Sequence, residues 1–125
     1  MYGTSKAQTE RFTAEGRDVI LEIDVQGAKS VLEKAPDAVS IFILPPSFEI
    51  MRARLTSRNT EDAADLELRL KNSREEVRFF ERFKYIVVND EVHTASRAIA
   101  SIILAERHLT SRQTGSIQAI LDSFA

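Results

Sequence analysis

Asp18-Val-Ile-Leu-Glu-Ile-Asp24-Val-Gln-Gly27 is the stretch of sequence that decides the fold. Its apolar residues run from Val19 to Ile23 with one interruption, which is the pattern of a strand buried on both faces of a parallel sheet. At Gly27 the strand pattern ends and a helix begins, which we expect to span about 27 to 34. A buried strand followed directly by a helix predicts one unit of an α/β fold.

The alternation of strand and helix continues along the rest of the chain. Residues Val39 to Leu44 form a second apolar run, which Pro45-Pro46 ends because proline has no N–H for a central ladder. A third run, Tyr85 to Val88, ends at Asn89-Asp90. Helical spacing fills the segments 47–58 and 61–82 and resumes after the third strand. These patterns predict a parallel sheet whose binding site lies at the carboxyl ends of its strands.

Composition excludes several classes of protein. The length of 125 residues fits one domain, and a hydrophobic content of 43% is ordinary for a globular chain. A net charge of -2 argues against general nucleic-acid binding. The absence of cysteine excludes a disulfide scaffold and is compatible with a cytoplasmic location. The polar N-terminus and the short apolar runs predict neither a signal peptide nor a membrane span.

Asp24 is the first candidate for chemistry. It ends the first predicted strand, at the edge where phosphoryl-transfer enzymes place a carboxylate near magnesium and phosphate. The alternative is a helix N-cap, which is the more common role for an Asp in this position taken alone. Glu22 on the same face and Gln26-Gly27 behind it favour the nucleotide site.

Arginine is concentrated between residues 52 and 82. Its guanidinium suits bidentate contacts with phosphate. Acidic residues share the interval, so a salt-bridged helix pair is the alternative. We keep that alternative for four of these arginines, namely Arg52, Arg74, Arg78 and Arg82.

Several motifs in order resemble guanylate kinases. They are Tyr2-Gly3-Thr4, the segment from Glu22 to Gly27, the segment from Ile41 to Ser47, and the arginines Arg54, Arg58 and Arg69. The resemblance covers residues 2 to about 107 and implies a P-loop-kinase-like, three-layer α/β/α fold with a parallel sheet. That fold is incomplete in this chain, since no G-x-x-x-x-G-K-[ST] motif occurs and the P-loop strand is missing.

The resemblance also implies an activity. Guanylate kinases transfer the γ-phosphoryl group of Mg-ATP to GMP and release ADP and GDP. Mg²⁺ enters such a site bound with ATP, and we predict no metal site formed by this chain alone. Because the P-loop motif is missing, we expect the chain by itself to be inactive.

On the ATP side, the resemblance implies that three arginines are catalytic, namely Arg54, Arg58 and Arg69. They match a lid that closes over ATP and brings positive charge to the transferring phosphoryl group. Pro46 and Asn89 match positions that border the adenine of ATP. An amide suits that position because it both donates to and accepts from a base edge.

On the GMP side, the resemblance implies that the Tyr2 hydroxyl meets the GMP phosphate and the Thr4 hydroxyl meets guanine. Asp24 then lies between GMP and the metal. We expect Asp24 to form the floor of one cleft lined by the lid arginines. Ser5-x-x-Gln8 is a capping box that predicts a short helix over about 5 to 15.

The resemblance implies one partial domain. Residues 1–17 end the GMP-binding subdomain, residues 18–47 and 83–125 form the core, and residues 48–82 form the lid with its flanking helices. The alternative function is a non-catalytic protein-interaction module, like the guanylate-kinase-like domains of scaffold proteins. The lid arginines favour the enzyme, because a scaffold needs no lid.

The C-terminal tail has its own pattern. Ile117, Ile120, Leu121 and Phe124 fall at i, i+3, i+4 and i+7, which predicts an amphipathic helix. We expect this helix to support a homo-oligomer, with docking on its own domain as the alternative. Exchange of strands between copies at unpaired sheet edges is a second route to an oligomer.

Overall fold

The computed structural model describes residues 19–58 and 62–125. The chain separates into two compact units, Met1–Ala38 and Val39–Ala125. The helix predicted over about 5 to 15 lies outside the described residues. The subdomain boundaries predicted at 17, 47 and 82 stay predictions.

The described part of the first unit contains helix α1, Val25–Lys34. Asp24 is its N-cap, in an extended conformation, and its Oδ1 accepts a hydrogen bond from the Gly27 N–H at 2.8 Å. The cap explains why α1 begins two residues before the predicted start, because it satisfies one of the open N–H groups of the first turn. The helix ends at Ala35, whose N–H donates to the Val31 carbonyl at 2.7 Å.

The strand predicted over 18–24 is wrong for residues 19–24, which form no strand. Burial alternates along this segment: Ile20 is 77% exposed, whereas Leu21 and Ile23 are half-buried. The expected burial on both faces is therefore also wrong. The physical reason is that a strand exists by pairing, and no described strand pairs with this segment.

In the second unit, strands β1 (Ile41–Leu44) and β2 (Tyr85–Val88) form a two-stranded parallel sheet. The register places Ile41 opposite Tyr85 and Leu44 opposite Val88. The bounds of β2 confirm the prediction, and β1 begins two residues later than expected. Main-chain bonds continue the ladder at both ends, from the Tyr85 N–H to the Ser40 carbonyl at 3.0 Å and from the Asn89 N–H to the Leu44 carbonyl at 2.8 Å.

The sheet is not buried on both faces. Val87 is buried, but Ile43, Ile86 and Val88 are exposed. The apolar runs therefore predicted the strands correctly and their burial wrongly. In the part of the chain that the structure describes, too few elements pack on the sheet to cover it.

Two capped helices follow β1. Helix α2, Phe48–Ser57, begins after Ser47, whose Oγ accepts from the Ile50 N–H at 3.1 Å. Helix α3, Ala63–Glu76, begins after Asp62, whose Oδ1 accepts from the Asp65 N–H at 2.9 Å. The single helix predicted over 61–82 is in fact α3 followed by a 3₁₀ helix, Val77–Arg82. Leu70 is 3% exposed and anchors α3.

Three helices complete the chain: α4 (Val92–Arg107), α5 (Thr110–Gln113) and α6 (Gln118–Ser123). Helix α4 buries Ala95, with Ile99 and Ile102 half-buried. The short α6 confirms a helix in the tail.

A polar cluster fastens α4 to the start of β2. Glu106 is 5% exposed, and its carboxylate accepts from Lys84 Nζ at 2.8 and 2.9 Å and from the Tyr85 hydroxyl at 2.7 Å. The hydrogen bonds from Lys84 and Tyr85 hold the pKa of Glu106 below its usual value. The hydrogen bond to Glu106 raises the pKa of Tyr85. The cluster joins Glu106 to residues 22 and 21 positions earlier in the sequence.

The fold is therefore helix-rich with a small parallel sheet, which is a partial α/β fold of the predicted P-loop-kinase-like class. Among the described helices, none combines the length and the apolar character that a membrane span requires.

Candidate functional site

The candidate site lies at the carboxyl edge of the sheet. Because β1 and β2 are parallel, their carboxyl ends meet at the same edge. Pro46 follows β1 there and Asn89 follows β2. The bond from the Asn89 N–H to the Leu44 carbonyl ties the two exits together. The two residues predicted to border adenine thus follow neighbouring strands at one edge.

Arg54 reaches this edge from α2. Its Nη1 donates to the Asn89 carbonyl at 2.8 Å, and its Nη2 donates to the Asp90 carbonyl at 3.0 Å. Helix α2 presents Arg54 because Ser47 caps the helix directly after the edge of β1. The structure therefore brings together two predicted site residues, Arg54 and Asn89, that are 35 positions apart.

Arg58 and Arg69 are placed differently. Arg58 is exposed at the end of α2, where its N–H donates to the Arg54 carbonyl at 3.2 Å. Among the described residues its guanidinium has no hydrogen bond or ion pair. Arg69 lies on the exposed surface of α3. The loop between α2 and α3 includes residues 59–61, which lie outside the described part, so the predicted lid stays a prediction.

Asp24 belongs to the first unit and acts there as the N-cap of α1. Gly27 makes this arrangement possible. A Cβ atom at position 27 would lie 3.1 Å from the Ile23 Cβ and 3.2 Å from Asp24 Oδ1, both closer than ordinary van der Waals contact. Tyr2 and Thr4, the predicted GMP contacts, lie outside the described residues.

Among residues 19–58 and 62–125, no three acidic, His or Cys side chains converge as a metal site. A carboxylate such as Asp24 is nevertheless a hard oxygen donor of the kind that Mg²⁺ prefers. One of its oxygens is engaged by Gly27, and Asp24 is exposed. The side chain therefore fits a role as one ligand or hydrogen-bond acceptor around a metal that arrives with phosphate.

Sequence reasoning missed the contacts of Arg54 and Arg74. The bond of Arg54 to a turn far along the chain has no local signal, because i,i+3 and i,i+4 spacing predicts only neighbours on one helix. Arg74, which we expected in a salt-bridged pair, makes no ion pair with another described residue and has its guanidinium carbon 4.2 Å from the centre of the Phe48 ring. This cation–π contact links α3 to the first residue of α2.

Comparison with known proteins agrees with the motifs. The guanylate kinase family model matches residues 1–106. A guanylate kinase of Nitrosomonas europaea is 43% identical over 125 residues, which is 100% of this chain and 62% of that protein. A guanylate kinase of Clostridium perfringens is 46% identical over 106 residues, which is 85% of this chain and 49% of that protein.

A solved structure agrees in three dimensions. The crystal structure of guanylate kinase from Anaplasma phagocytophilum superposes with a TM-score of 0.71 at 31% identity. The match covers 86% of this chain and 50% of that one. The chain thus spans about half to three fifths of the length of these relatives. With a family model that matches most of its residues, the chain belongs to the guanylate kinase family.

Proposed function

We propose that this chain forms the adenine side and the lid arginines of a guanylate kinase site, with ATP and GMP as its partners. The complete site transfers the γ-phosphoryl group of ATP to GMP. The observation that carries the proposal is the meeting of Arg54 and Asn89 at the carboxyl edge of the sheet, the edge at which α/β proteins bind their ligands.

The chemistry asked of this chain is positioning and charge stabilisation. Phosphoryl transfer spreads negative charge over the oxygens of the group in flight. Arg58 and Arg69 are the candidates to meet that charge, and Arg58 is exposed with no guanidinium bond to another described residue. Asn89 and Pro46 border the adenine in this proposal.

On the GMP side, the proposal keeps Tyr2 for the phosphate and Thr4 for guanine. Asp24 accepts hydrogen bonds from GMP or holds the metal ion. Mg²⁺, bound with ATP, would neutralise charge on the β- and γ-phosphates. The cap formed with Gly27 fixes the direction in which Asp24 presents its carboxylate.

The proposal includes that the 125-residue chain does not phosphorylate GMP by itself. None of its four glycines is followed directly by a Lys-Ser/Thr pair, since Ala28 separates Gly27 from Lys29-Ser30, so the sequence has no P-loop motif to cradle the β- and γ-phosphates. Positioning of the reacting groups contributes roughly 7 to 11 kcal/mol to lowering such barriers. Arginines alone stabilise charge but do not hold the phosphates in line.

The test is an ADP-release assay on the purified chain, repeated after addition of an N-terminal guanylate kinase fragment that carries a P-loop. We expect GMP-dependent turnover only in the mixture. In that mixture, Arg58→Ala should lower turnover by about 10³-fold with a much smaller change in GMP affinity. Arg78→Ala, which removes an exposed arginine of the 3₁₀ helix, is the matched control.

Turnover by the chain alone would overturn the predicted inactivity. A mixture that binds GMP and ATP yet turns over equally well with Arg58→Ala would remove Arg58 from the catalytic group. A mixture that binds neither nucleotide would favour the interaction module instead.

A further inference from the structure

Arg54 is engaged in a way that differs from the role the family resemblance implies for it. Both terminal nitrogens of its guanidinium donate to main-chain carbonyls, at 2.8 Å to Asn89 and at 3.0 Å to Asp90. These are successive carbonyls of one turn. The planar fork of an arginine holds two such acceptors in a rigid geometry, whereas the donors of a lysine ammonium rotate on a flexible stem.

The described hydrogen bonds of this turn come from both sides of it. On one side, the Asn89 N–H is bound to the Leu44 carbonyl of β1. On the other side, the turn runs into α4, whose N-cap residue Glu91 makes no side-chain cap. Arg54 therefore supplies the bonds that fix the carbonyls of the turn between the end of β2 and the start of α4.

These bonds engage the main chain of Asn89 and leave its side chain unbound by Arg54 and Leu44. Asn89 is half-buried, and its carboxamide makes no hydrogen bond with the rest of the described residues. The main chain fixes the position of the Asn89 Cβ and restricts the rotamers from which the carboxamide can reach a ligand. By fixing the main chain on both sides of Asn89, Arg54 and Leu44 fix where the carboxamide can reach.

Arg54 would have to break both bonds to follow a lid toward a phosphoryl group. Arg58, one helical turn later, makes no such contacts within the described residues. Arg54 and Arg58 therefore differ in their contacts: the guanidinium of Arg54 is bound to two carbonyls, and that of Arg58 is bound to no described residue. We propose that Arg54 is a positioning residue that holds the Asn89–Asp90 turn so that the Asn89 carboxamide meets the edge of an adenine base. This inference rests on the adenine role of Asn89 in the proposed function.

The test uses NMR spectra of the 125-residue chain with two probes, adenosine and inorganic tripolyphosphate. Adenosine carries the base without phosphate, and tripolyphosphate carries phosphate without the base. We expect adenosine to shift the side-chain amide signals of Asn89. Arg54→Gln should weaken adenosine binding by about tenfold or more, because apparent affinity falls with the fraction of molecules that hold the competent turn. Its tripolyphosphate affinity should equal that of the unmodified chain.

Three variants separate positioning from general damage. Arg54→Lys keeps the charge and loses the fork, so it should resemble Arg54→Gln with adenosine. Arg52→Gln makes the same charge change on an exposed position of α2 and should leave adenosine binding unchanged. Amide exchange at Asn89 and Asp90 should quicken in both Arg54 variants and not in Arg52→Gln.

The outcomes distinguish the positioning role of Arg54 from the adenine role of Asn89. If adenosine shifts Asn89 equally in the unmodified chain and in Arg54→Gln, the positioning role is overturned and the proposed function stands. If Arg54→Gln loses tripolyphosphate binding and keeps adenosine binding, Arg54 acts on phosphate, and the inference fails. If adenosine leaves Asn89 of the unmodified chain unshifted, the adenine role itself fails and takes the inference with it.

Discussion

Asp24 and Gly27 depend on each other at the scale of single residues. The carboxylate of Asp24 caps α1 by accepting from the Gly27 N–H, and the absence of a side chain at position 27 leaves room for that carboxylate. A cap and a nucleotide contact are compatible, because a carboxylate accepts several hydrogen bonds. The two roles that the sequence suggests for Asp24, helix N-cap and nucleotide contact, can therefore be filled by the same carboxylate.

We predict that Gly27→Ala fails to stabilise the chain. Replacing a helical glycine by alanine ordinarily gains about 0.5 to 1 kcal/mol. At position 27 the new methyl meets the Ile23 Cβ at 3.1 Å, and that backbone-fixed atom cannot turn aside as a side-chain end can. The free energy of unfolding in urea should therefore be unchanged or lower.

Gly115→Ala is the control for this prediction. A Cβ at position 115 has no neighbour within 4 Å. Since nothing obstructs the methyl, we expect this variant to be neutral or to gain up to about 1 kcal/mol. Equal gains at both glycines would show that the close approach at Gly27 costs nothing.

The sequence predicts residue types at the site better than it predicts their contacts. Asp24 at a helix start and Asn89 after a strand follow from local patterns that the structure keeps. Arg54 was predicted as a site residue, but its partners are carbonyls, which every residue carries and no pattern marks. Within the described residues, Arg74 contacts the Phe48 ring and no acid, because this contact depends on the packing of α3 against α2 and not on spacing along one helix.

Elements are predicted well wherever a local signal starts or stops them. The caps at Ser47 and Asp62 and the prolines after β1 set boundaries close to those expected. Residues 19–24 are the exception, because strand formation depends on a neighbour that local sequence does not supply. The same dependence explains the exposed side chains of Ile43, Ile86 and Val88.

The contact between α4 and β2 should make stability depend on pH. Glu106 has a lowered pKa when folded, so its contribution is complete above the unfolded pKa of about 4.3 and is lost as the pH falls through the folded value. Tyr85 has a raised pKa when folded, so its contribution is complete below about pH 10 and is lost as the pH rises further.

We predict that Glu106→Gln lowers stability at pH 7 and flattens the loss of stability on the acid side. Tyr85→Phe should remove the loss of stability at alkaline pH. It should retain part of the loss of stability at acid pH, because Lys84 still binds Glu106. Urea unfolding at a series of pH values gives the measurement. Glu67→Gln, on an exposed position of α3, is the control. An acid profile that Glu106→Gln leaves unchanged would contradict the assigned role.

At the scale of the whole molecule, the tail presents an exposed apolar surface that can associate with a partner. The apolar side chains of α6 and the residue after it are exposed, with Phe124 at 83%. Ile117, the first residue of the predicted stripe, is half-buried. A surface of this kind favours a partner over water.

We predict that the chain sediments as an oligomer and that a chain ending at Thr110 sediments as a monomer. Apolar side chains that leave water on association supply the driving force. Ile120→Ser should act in the same direction, with Ala119→Ser on the same helix as the control. If the mass is the same with and without the tail, α6 docks on its own domain or remains free.

The described residues bury few apolar side chains, and this determines the heat-capacity change that we expect on unfolding. The buried apolar side chains there are Val25, Leu70, Val87 and Ala95. A calorimetric scan records the hydration of apolar surface uncovered by unfolding, and ordinary domains gain about 12 to 15 cal/mol/K per residue. With so little surface left to uncover, this chain should give a smaller heat-capacity step. Addition of the P-loop fragment should enlarge the step beyond the sum of the two separate scans if the fragment covers the open face of the sheet.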